Sequence, residues 1–380
     1  MNLAPDKPNP ERAANILLVA IFFLLLWLPT LDTFLHFDHA TAFNEKRLPA
    51  PFPRFNHGLQ KYIGGLDAYF NDHFGCRNQL IHWYLTVFRG GRYDVMIGKE
   101  GWLYFDERNM HLVEHYQGIL QFSAQELSDL QTLQERRRDW LARRGIKYLF
   151  VIAPDKQSIY PEYLPSWLKP IRRHTKLDQF FTYMRAHSTV TVVDLRPALR
   201  EAKAIAPTYY QTDSHWNSFG GFVGCEEIIK VLANQMPGLK PLSLESFEFK
   251  NQQFSGGDLS LLLGVRAAEE DRTLVPKTNL PALVQTIRNP KSTVPDCFTD
   301  NSRATGSAAV FRDSFGPAWI PFLGYHFRRT GFYFAPGELD TNIVMRTKPD
   351  VVISEIVERH FNMPDWSRVN DEIKALDPER

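Results

Sequence analysis

The apolar positions of this chain fall into three patterns, and each predicts a different kind of element. The first is a continuous run from Ile16 to Leu28 that holds only apolar residues. Read from Ala13 through Leu31, the segment approaches the roughly 20 residues a membrane-spanning helix needs. Lys7 and Arg12 precede it and Asp32 closes it. A signal peptide has a similar plan, and Ala40-Thr41-Ala42 resembles a cleavage site. That site lies well past the run, with Asp32, His36, Asp38 and His39 between. The expectation is an uncleaved anchor over about 13–31, with the remaining chain exported.

The second pattern has helical spacing. Leu127, Leu130, Leu133 and Leu141 follow Ser123 and Glu126, which are placed as a capping box, and Gly145 stands where a helix would end. This predicts a helix over 123–144. Further helices are expected near 177–186 and over 217–235. The third pattern is the short apolar run that suits a buried parallel strand: IKYLFVIAP (146–154), VTVVDL (190–195), AAVFRD (308–313), GFYFA (331–335) and PDVVISE (349–355). Alternation of such strands with helices predicts an α/β layered domain with a largely parallel sheet. VMIGKEGWLYF (95–105) reads as a Gly-punctuated hairpin. Residues 29–57, with Pro29, Pro49, Pro51 and Pro53, read as a linker, and 55–88 as short helices around Phe70, Phe74, Leu80 and Ile81. The charged run Glu135–Asp139 reads as a solvated helix face. Residues 239–308 show little periodicity apart from a turn at Gly256-Gly257-Asp258.

Composition narrows the function classes. With 380 residues, 44% of them hydrophobic and 23% charged, the chain can bury a sizeable core. Its net charge of +1 gives no basic stripe for nucleic acid. The 28 Phe, 14 Tyr and 8 Trp residues fit a large core or platforms for a carbohydrate, and composition does not separate the two. Cys76, Cys225 and Cys297 are scattered without zinc-ligand spacing. One disulfide with a leftover thiol and three buried thiols both remain open.

Two polar stretches carry candidate chemistry. In VFRDSFGPAW (310–319), Ser314 falls where an apolar strand ends and a turn begins. Parallel sheets bind ligands at the carboxyl ends of their strands. There a serine hydroxyl is exposed, and N–H groups of the following turn face a developing oxyanion. The stretch is not a GxSxG elbow. A serine needs a base to act as a nucleophile. YYQTDSHWNSFGG (209–221) offers His215, with Asp213 two residues before it as a carboxylate to orient the imidazole. The competing assignment makes Asp213 or Ser214 a cap of the next helix. Asp213 and His215 lack the further spaced ligand a metal site requires.

TDSHWN followed by RDSF resembles the alginate O-acetyltransferase family of SGNH-like exported enzymes (the AlgJ/AlgX-like proteins). FNEKRLPAPFP, YFNDHFGCRNQLI, IGKEGWLYF, APDKQSIYPEYLP, GGDL and PDVVISEIVER are similar to that family's segments in order, over roughly residues 43–360. The resemblance implies an SGNH-like α/β/α sandwich preceded by an N-terminal membrane anchor. Residues 1–42 would hold a cytoplasmic tip, the anchor and the start of the linker; 43–380 would form a periplasmic domain. It implies Ser314 as nucleophile, His215 as base and Asp213 as its orienting carboxylate, with no cofactor and no metal. The implied partners are an exopolysaccharide acceptor, the bacterial inner membrane and a membrane-bound acyltransferase supplying acetyl groups. The Gly and Asn oxyanion blocks of ordinary SGNH enzymes have no evident counterpart, which leaves the Ser314 N–H as the expected donor. Gly257-Asp258 is expected either to shape the site or to form an ordinary turn, and Glu355 with Arg359 to form an internal i,i+4 pair. An acetylesterase with the same triad, and a non-catalytic membrane-anchored scaffold for polysaccharide assembly, are the alternatives.

Overall fold

The computed structural model describes residues 10–35, 50–55, 58–76, 94–172, 174–254, 256–263, 269–277, 280, 283–288 and 295–376. The chain divides into two compact units, residues 1–93 with 261–266, and residues 94–260 with 267–380. In the first unit, helix α1 spans Pro10–Leu35. Its stretch Asn15–Asp32 has a mean hydropathy of 2.1 and is long and apolar enough to cross a membrane. The helix runs through Pro29, so the expected linker begins later than the proline implied; the loss of one N–H does not end this helix. Helix α2, Leu59–His73, accounts for the first of the short helices expected after residue 55. Those around Leu80 and Ile81 lie outside the described residues.

The second unit is built on a seven-stranded sheet. Hairpin strands β1 (Val95–Ile97) and β2 (Leu103–Phe105) come first, paired antiparallel as the GKEG turn predicts. Helix α3 (Ala124–Ala142) leads into β3 (Lys147–Ala153), and α4 (Lys176–His187) into β4 (Val192–Asp194). Helices α5 (Arg196–Ala202) and α6 (Ser218–Ala233) follow. An antiparallel ribbon pairs β5 (Phe247–Phe254) with β6 (Glu269–Pro276). Then come β7 (Val284–Arg288), β8 (Asp296–Asp300), β9 (Ser307–Arg312), β10 (Arg329–Phe334), α7 (Thr341–Thr347), β11 (Val351–Val357) and α8 (Trp366–Ala375). The order across the large sheet is β4-β3-β11-β9-β10-β8-β7, parallel from β4 to β10 with β8 and β7 added antiparallel at one edge.

The period of two along each strand sorts its side chains onto two cores. Leu149 and Val151 of β3, Val310 of β9 and Ile353 of β11 pack on one face, with Phe222 and Ile228 of α6. Phe150 and Ile152, Phe311 and Val352 pack on the other, with Leu130 and Leu141 of α3 and Phe180 of α4. Strands buried on both faces read as continuous apolar runs, which is why they were visible in the sequence. The capping box at Ser123 and Glu126 is formed, through Glu126 N to Ser123 Oγ at 3.2 Å and Ser123 N to Glu126 Oε2 at 2.7 Å.

Two side-chain expectations are overturned. Within the supposedly solvated run 135–139, Arg137 is buried and forms a two-pronged pair with Glu372 of α8, both contacts at 2.6 Å. The helix is covered on that side, so one charge of the run points inward. Glu355 and Arg359 do not pair: Glu355 lies in strand β11, where i,i+4 side chains are not helical neighbours, and Arg359 bonds Asp155 at 2.6 Å. All three cysteines are buried thiols, which decides between the two alternatives left open by their spacing.

Burial outweighs capping in this scaffold. Ser123→Ala is expected to lower stability by about 1 kcal/mol. Ile353→Ala, which empties the sheet centre, is expected to lower it by about 2–5 kcal/mol. Denaturant titration of the two variants checks the order, and equal losses would contradict it.

Candidate functional site

Three strand ends place the chemistry. β3 is followed by Pro154-Asp155-Lys156, β9 by Asp313-Ser314-Phe315 and β11 by Glu358-Arg359, all at the carboxyl edge of the parallel strands.

Asp313 explains why a serine can stand exposed there. Its buried carboxylate accepts from Phe315 N at 2.8 Å and from Val357 N at 2.6 Å. Its own N–H donates to Glu355 Oε2 at 2.8 Å. The first contact is an Asp turn that puts Ser314 at its apex, and the others fasten that turn to β11. Ser314 is exposed while Asp313 and Phe315 on either side are buried. Glu355 is buried completely, and burial together with the neighbouring Asp313 charge pushes its carboxyl well above the usual range.

The loop 209–217 supplies the other half. An isolated bridge between Tyr209 and Trp216 closes it. Asn217, and not Asp213 or Ser214, caps helix α6, its Oδ1 accepting from Gly220 N at 3.0 Å. Asp213 is thereby free for another role. Trp216 is buried and its Nε1–H donates to Phe315 O at 3.0 Å, which ties this loop to the serine turn. The His215 ring lies 4.8 Å from the Phe315 ring, centre to centre.

The three expected residues come together. His215 Nδ1 lies 2.6 Å from Asp213 Oδ1, and His215 Nε2 lies 2.8 Å from Ser314 Oγ. Asp213 Oδ1 also accepts from His215 N at 2.9 Å, and Oδ2 from Asp258 N at 2.9 Å. Burial alone would raise the Asp213 pKa, but the hydrogen bond and charge of His215 and these backbone donors pull it down to about 2. An ionised carboxylate can only accept, so the proton of the neutral imidazole sits on Nδ1. The Nε2 lone pair then faces the Ser314 hydroxyl. Among the described residues the Ser314 N–H has no hydrogen-bond acceptor.

Residues with weaker sequence signals surround this array. Asp258 accepts from Ser214 N at 2.7 Å and from Ser214 Oγ at 2.6 Å. Gly257 must be glycine: a Cβ there would stand 2.2 Å from Asp213 Cβ. The GGD turn was the only sequence signal for this contact. Glu269 of β6 accepts from Gln211 N at 2.6 Å and from Thr212 N at 3.1 Å, fixing the approach to Asp213. Among the described residues no carboxylate touches the buried Lys156, whose Nζ donates to Leu103 O at 2.6 Å and Gln211 O at 3.1 Å. Burial lowers its pKa to about 7, against the pull of Asp213, Glu269 and Asp258. Nothing in APDKQSIY distinguishes this lysine from a surface one. A cavity of about 600 Å³ shares Tyr209, Tyr210 and Gln211 of the same loop, with Trp102, Asn217 and Asp271 also in its walls.

Asp213, His215 and Asp258 bring one donor atom each within 4.8 Å, so the fold supplies a third donor, a carboxylate, that the sequence spacing did not. His215 Nδ1 is engaged by Asp213 Oδ1 at 2.6 Å.

Comparison with known proteins agrees with this architecture. Residues 95–306, more than half of the chain, match the family model described as SGNH hydrolase-like domain, acetyltransferase AlgX. The match takes in Asp213, His215 and Asp258 and ends before Ser314. The probable alginate O-acetylase AlgJ of Pseudomonas fluorescens is 27% identical over 240 residues, 63% of this chain and 55% of that protein. That of Pseudomonas aeruginosa is 33% identical over 135 residues, 36% of this chain and 32% of that protein. The matched stretches thus span from about a third to just over half of these relatives. The structure of Bacillus cereus PatB1 with a sulfonyl adduct superposes with a TM-score of 0.54 at 16% identity, covering 71% of this chain and 98% of that one, a likeness of fold alone. With its mostly parallel SGNH-like sheet and this match over more than half its length, the chain belongs to the AlgX family of SGNH hydrolase-like acetyltransferase domains.

Proposed function

We propose that this chain is an exported O-acetyltransferase that moves acetyl groups onto hydroxyls of a bacterial exopolysaccharide through an acetyl-Ser314 intermediate. The observation that carries this reading is the continuous array from Asp213 Oδ1 through His215 to Ser314 Oγ, with contacts of 2.6 and 2.8 Å. His215 Nε2 takes the hydroxyl proton as Ser314 Oγ bonds to the acetyl carbon of the donor. The Ser314 N–H holds the oxyanion. As the tetrahedral species collapses, the bond from acetyl carbon to donor oxygen breaks, and Nε2 returns the proton to that oxygen. A sugar hydroxyl then attacks the acetyl carbon, its proton passes to Nε2, and the Ser314 Oγ–carbon bond breaks as Oγ regains a proton. Asp213 stabilises the imidazolium at both stages.

The names of the AlgJ relatives support a polysaccharide acceptor. An N-terminal helix of spanning length supports attachment to a membrane. We propose that this is the inner membrane, with residues 43–380 on the periplasmic side and a membrane-bound acyltransferase as the acetyl source. Exposure of Ser314 favours a second reading, an acetylesterase, because water reaches the acyl-serine as readily as a sugar does. Both readings use the same first half-reaction and differ in the second nucleophile.

Ser314→Ala is expected to abolish release of the leaving group from a chromogenic acetyl ester, and His215→Ala to reduce it at least about a hundredfold. Mass analysis of oligosaccharides added to the reaction separates the readings: acetylated sugar supports transfer, whereas free acetate alone supports the esterase. Undiminished turnover by Ser314→Ala would overturn both.

A pH dependence of stability follows from Asp213. Its folded pKa of about 2 lies below the unfolded value, so its stabilising contribution is full above about pH 4 and is lost as pH falls through 2. Relative to Asp213→Asn, the wild type is expected to lose about 2 kcal/mol between pH 5 and pH 2. Parallel stability curves for the two proteins would contradict this.

A further inference from the structure

Asp258 stands outside the three-residue array, yet it touches both partners of the central contact. Its N–H donates to Asp213 Oδ2 at 2.9 Å. Its carboxylate takes the N–H and the O–H of Ser214, and that hydroxyl oxygen lies 3.3 Å from His215 Nδ1. Asp258 Oδ2 is itself 3.6 Å from Nδ1. The imidazole edge that carries the proton therefore faces two carboxylates, one in direct contact and one a step behind a serine hydroxyl.

We infer that Asp258 is a positioning residue for the acyl-transfer array, a second carboxylate that braces Asp213 through its backbone and shares the imidazolium charge through Ser214. This rests on the function proposed above. Two features argue against an ordinary turn. Gly257 leaves the space that lets the Asp258 N–H reach Asp213, since a Cβ at 257 would meet the Asp213 Cβ at 2.2 Å and its backbone N at 2.6 Å. The turn is also held from behind, by Gly257 N to Thr212 Oγ1 at 3.0 Å and Ser260 N to Thr212 O at 3.1 Å. Thr212 in turn donates through Oγ1 to Glu269 Oε1 at 2.7 Å. The two loops are thus stitched along their length, and Asp258 is where the stitching reaches the imidazole.

The physical consequence is electrostatic. A negative charge 3.6 Å from Nδ1 stabilises the positive charge that develops on the ring in the transition states where His215 holds the serine or sugar proton. Asp258→Asn keeps the backbone donor and most of the shape but removes the charge. The other charges facing this cluster are Asp213 on the loop itself, Lys156 after β3, Glu269 on β6 and Arg359 after β11, and the substitution alters none of them.

The test measures ester turnover for the full-length wild type, Asp258→Asn, Ser214→Ala, Asp213→Asn, the Asp213→Asn/Asp258→Asn double variant and Ser314→Ala. Asp258→Asn is expected to lower kcat about tenfold with KM unchanged. Ser214→Ala, which keeps the charge, is expected to lower kcat less. The double variant is expected to lose less than the product of the two single losses, because the two carboxylates act on one ring. An unchanged kcat in Asp258→Asn would overturn the inference. So would a lowered kcat with multiplicative losses, which describes a turn that merely holds the loop. Equal turnover by wild type and Ser314→Ala would instead sink the acyl-transfer reading, and this inference with it.

Discussion

A half-buried carboxylate that can accept hydrogen bonds but not donate them sets the polarity of the whole site. Because Asp213 stays ionised, held at about 2 by His215 and two backbone donors, the imidazole proton is confined to Nδ1. The lone pair on Nε2 is then fixed toward Ser314 without any contribution from the serine itself. Every neighbouring device maintains that one contact. Asn217 relieves Asp213 of capping duty, Gly257 admits the Asp258 N–H, and Glu269 and Lys156 hold the Gln211 peptide from its N–H and its carbonyl.

The sheet brings the second half of the site to the first. Ser314 leaves β9 in an Asp turn whose carboxylate is fastened to the end of β11, and Trp216 of the histidine loop reaches across to Phe315 O. Residues 213–215 and 314 are far apart in the chain; the serine follows the carboxyl end of β9, and the histidine loop is tied to it there through Trp216. That edge suits an acyl-transfer centre, because a strand end exposes a hydroxyl while its flanking residues remain in the core.

Much of this was legible in the sequence, for identifiable reasons. Strands β3, β9 and β11 are buried on both faces and so appear as apolar runs, and helix α3 announces its start through Ser123 and Glu126. Ser314, His215 and Asp213 were legible as motif residues at loop positions. The ribbon β5–β6 was not, because it is largely exposed and FEFKNQQF carries no apolar run, which hid Glu269 as well. Lys156, Arg137 and Glu355 were misjudged or missed for a common reason. Burial of a charged side chain depends on which distant backbone carbonyl, carboxylate or strand covers it, and local pattern holds no record of that. Asp258 lay between these cases: the double glycine marked a turn, but only the fold places the turn against the imidazole.

The most direct measurement is intact-mass spectrometry of the full-length protein after brief exposure to an activated acetyl ester, followed by peptide mapping. A single acetyl group on the peptide containing Ser314, absent from Ser314→Ala and much diminished in His215→Ala, is the predicted result. Ester turnover by the wild type with an acetyl group on another residue, or on no residue even when deacylation is slowed by cold and acid quench, would contradict the covalent serine mechanism.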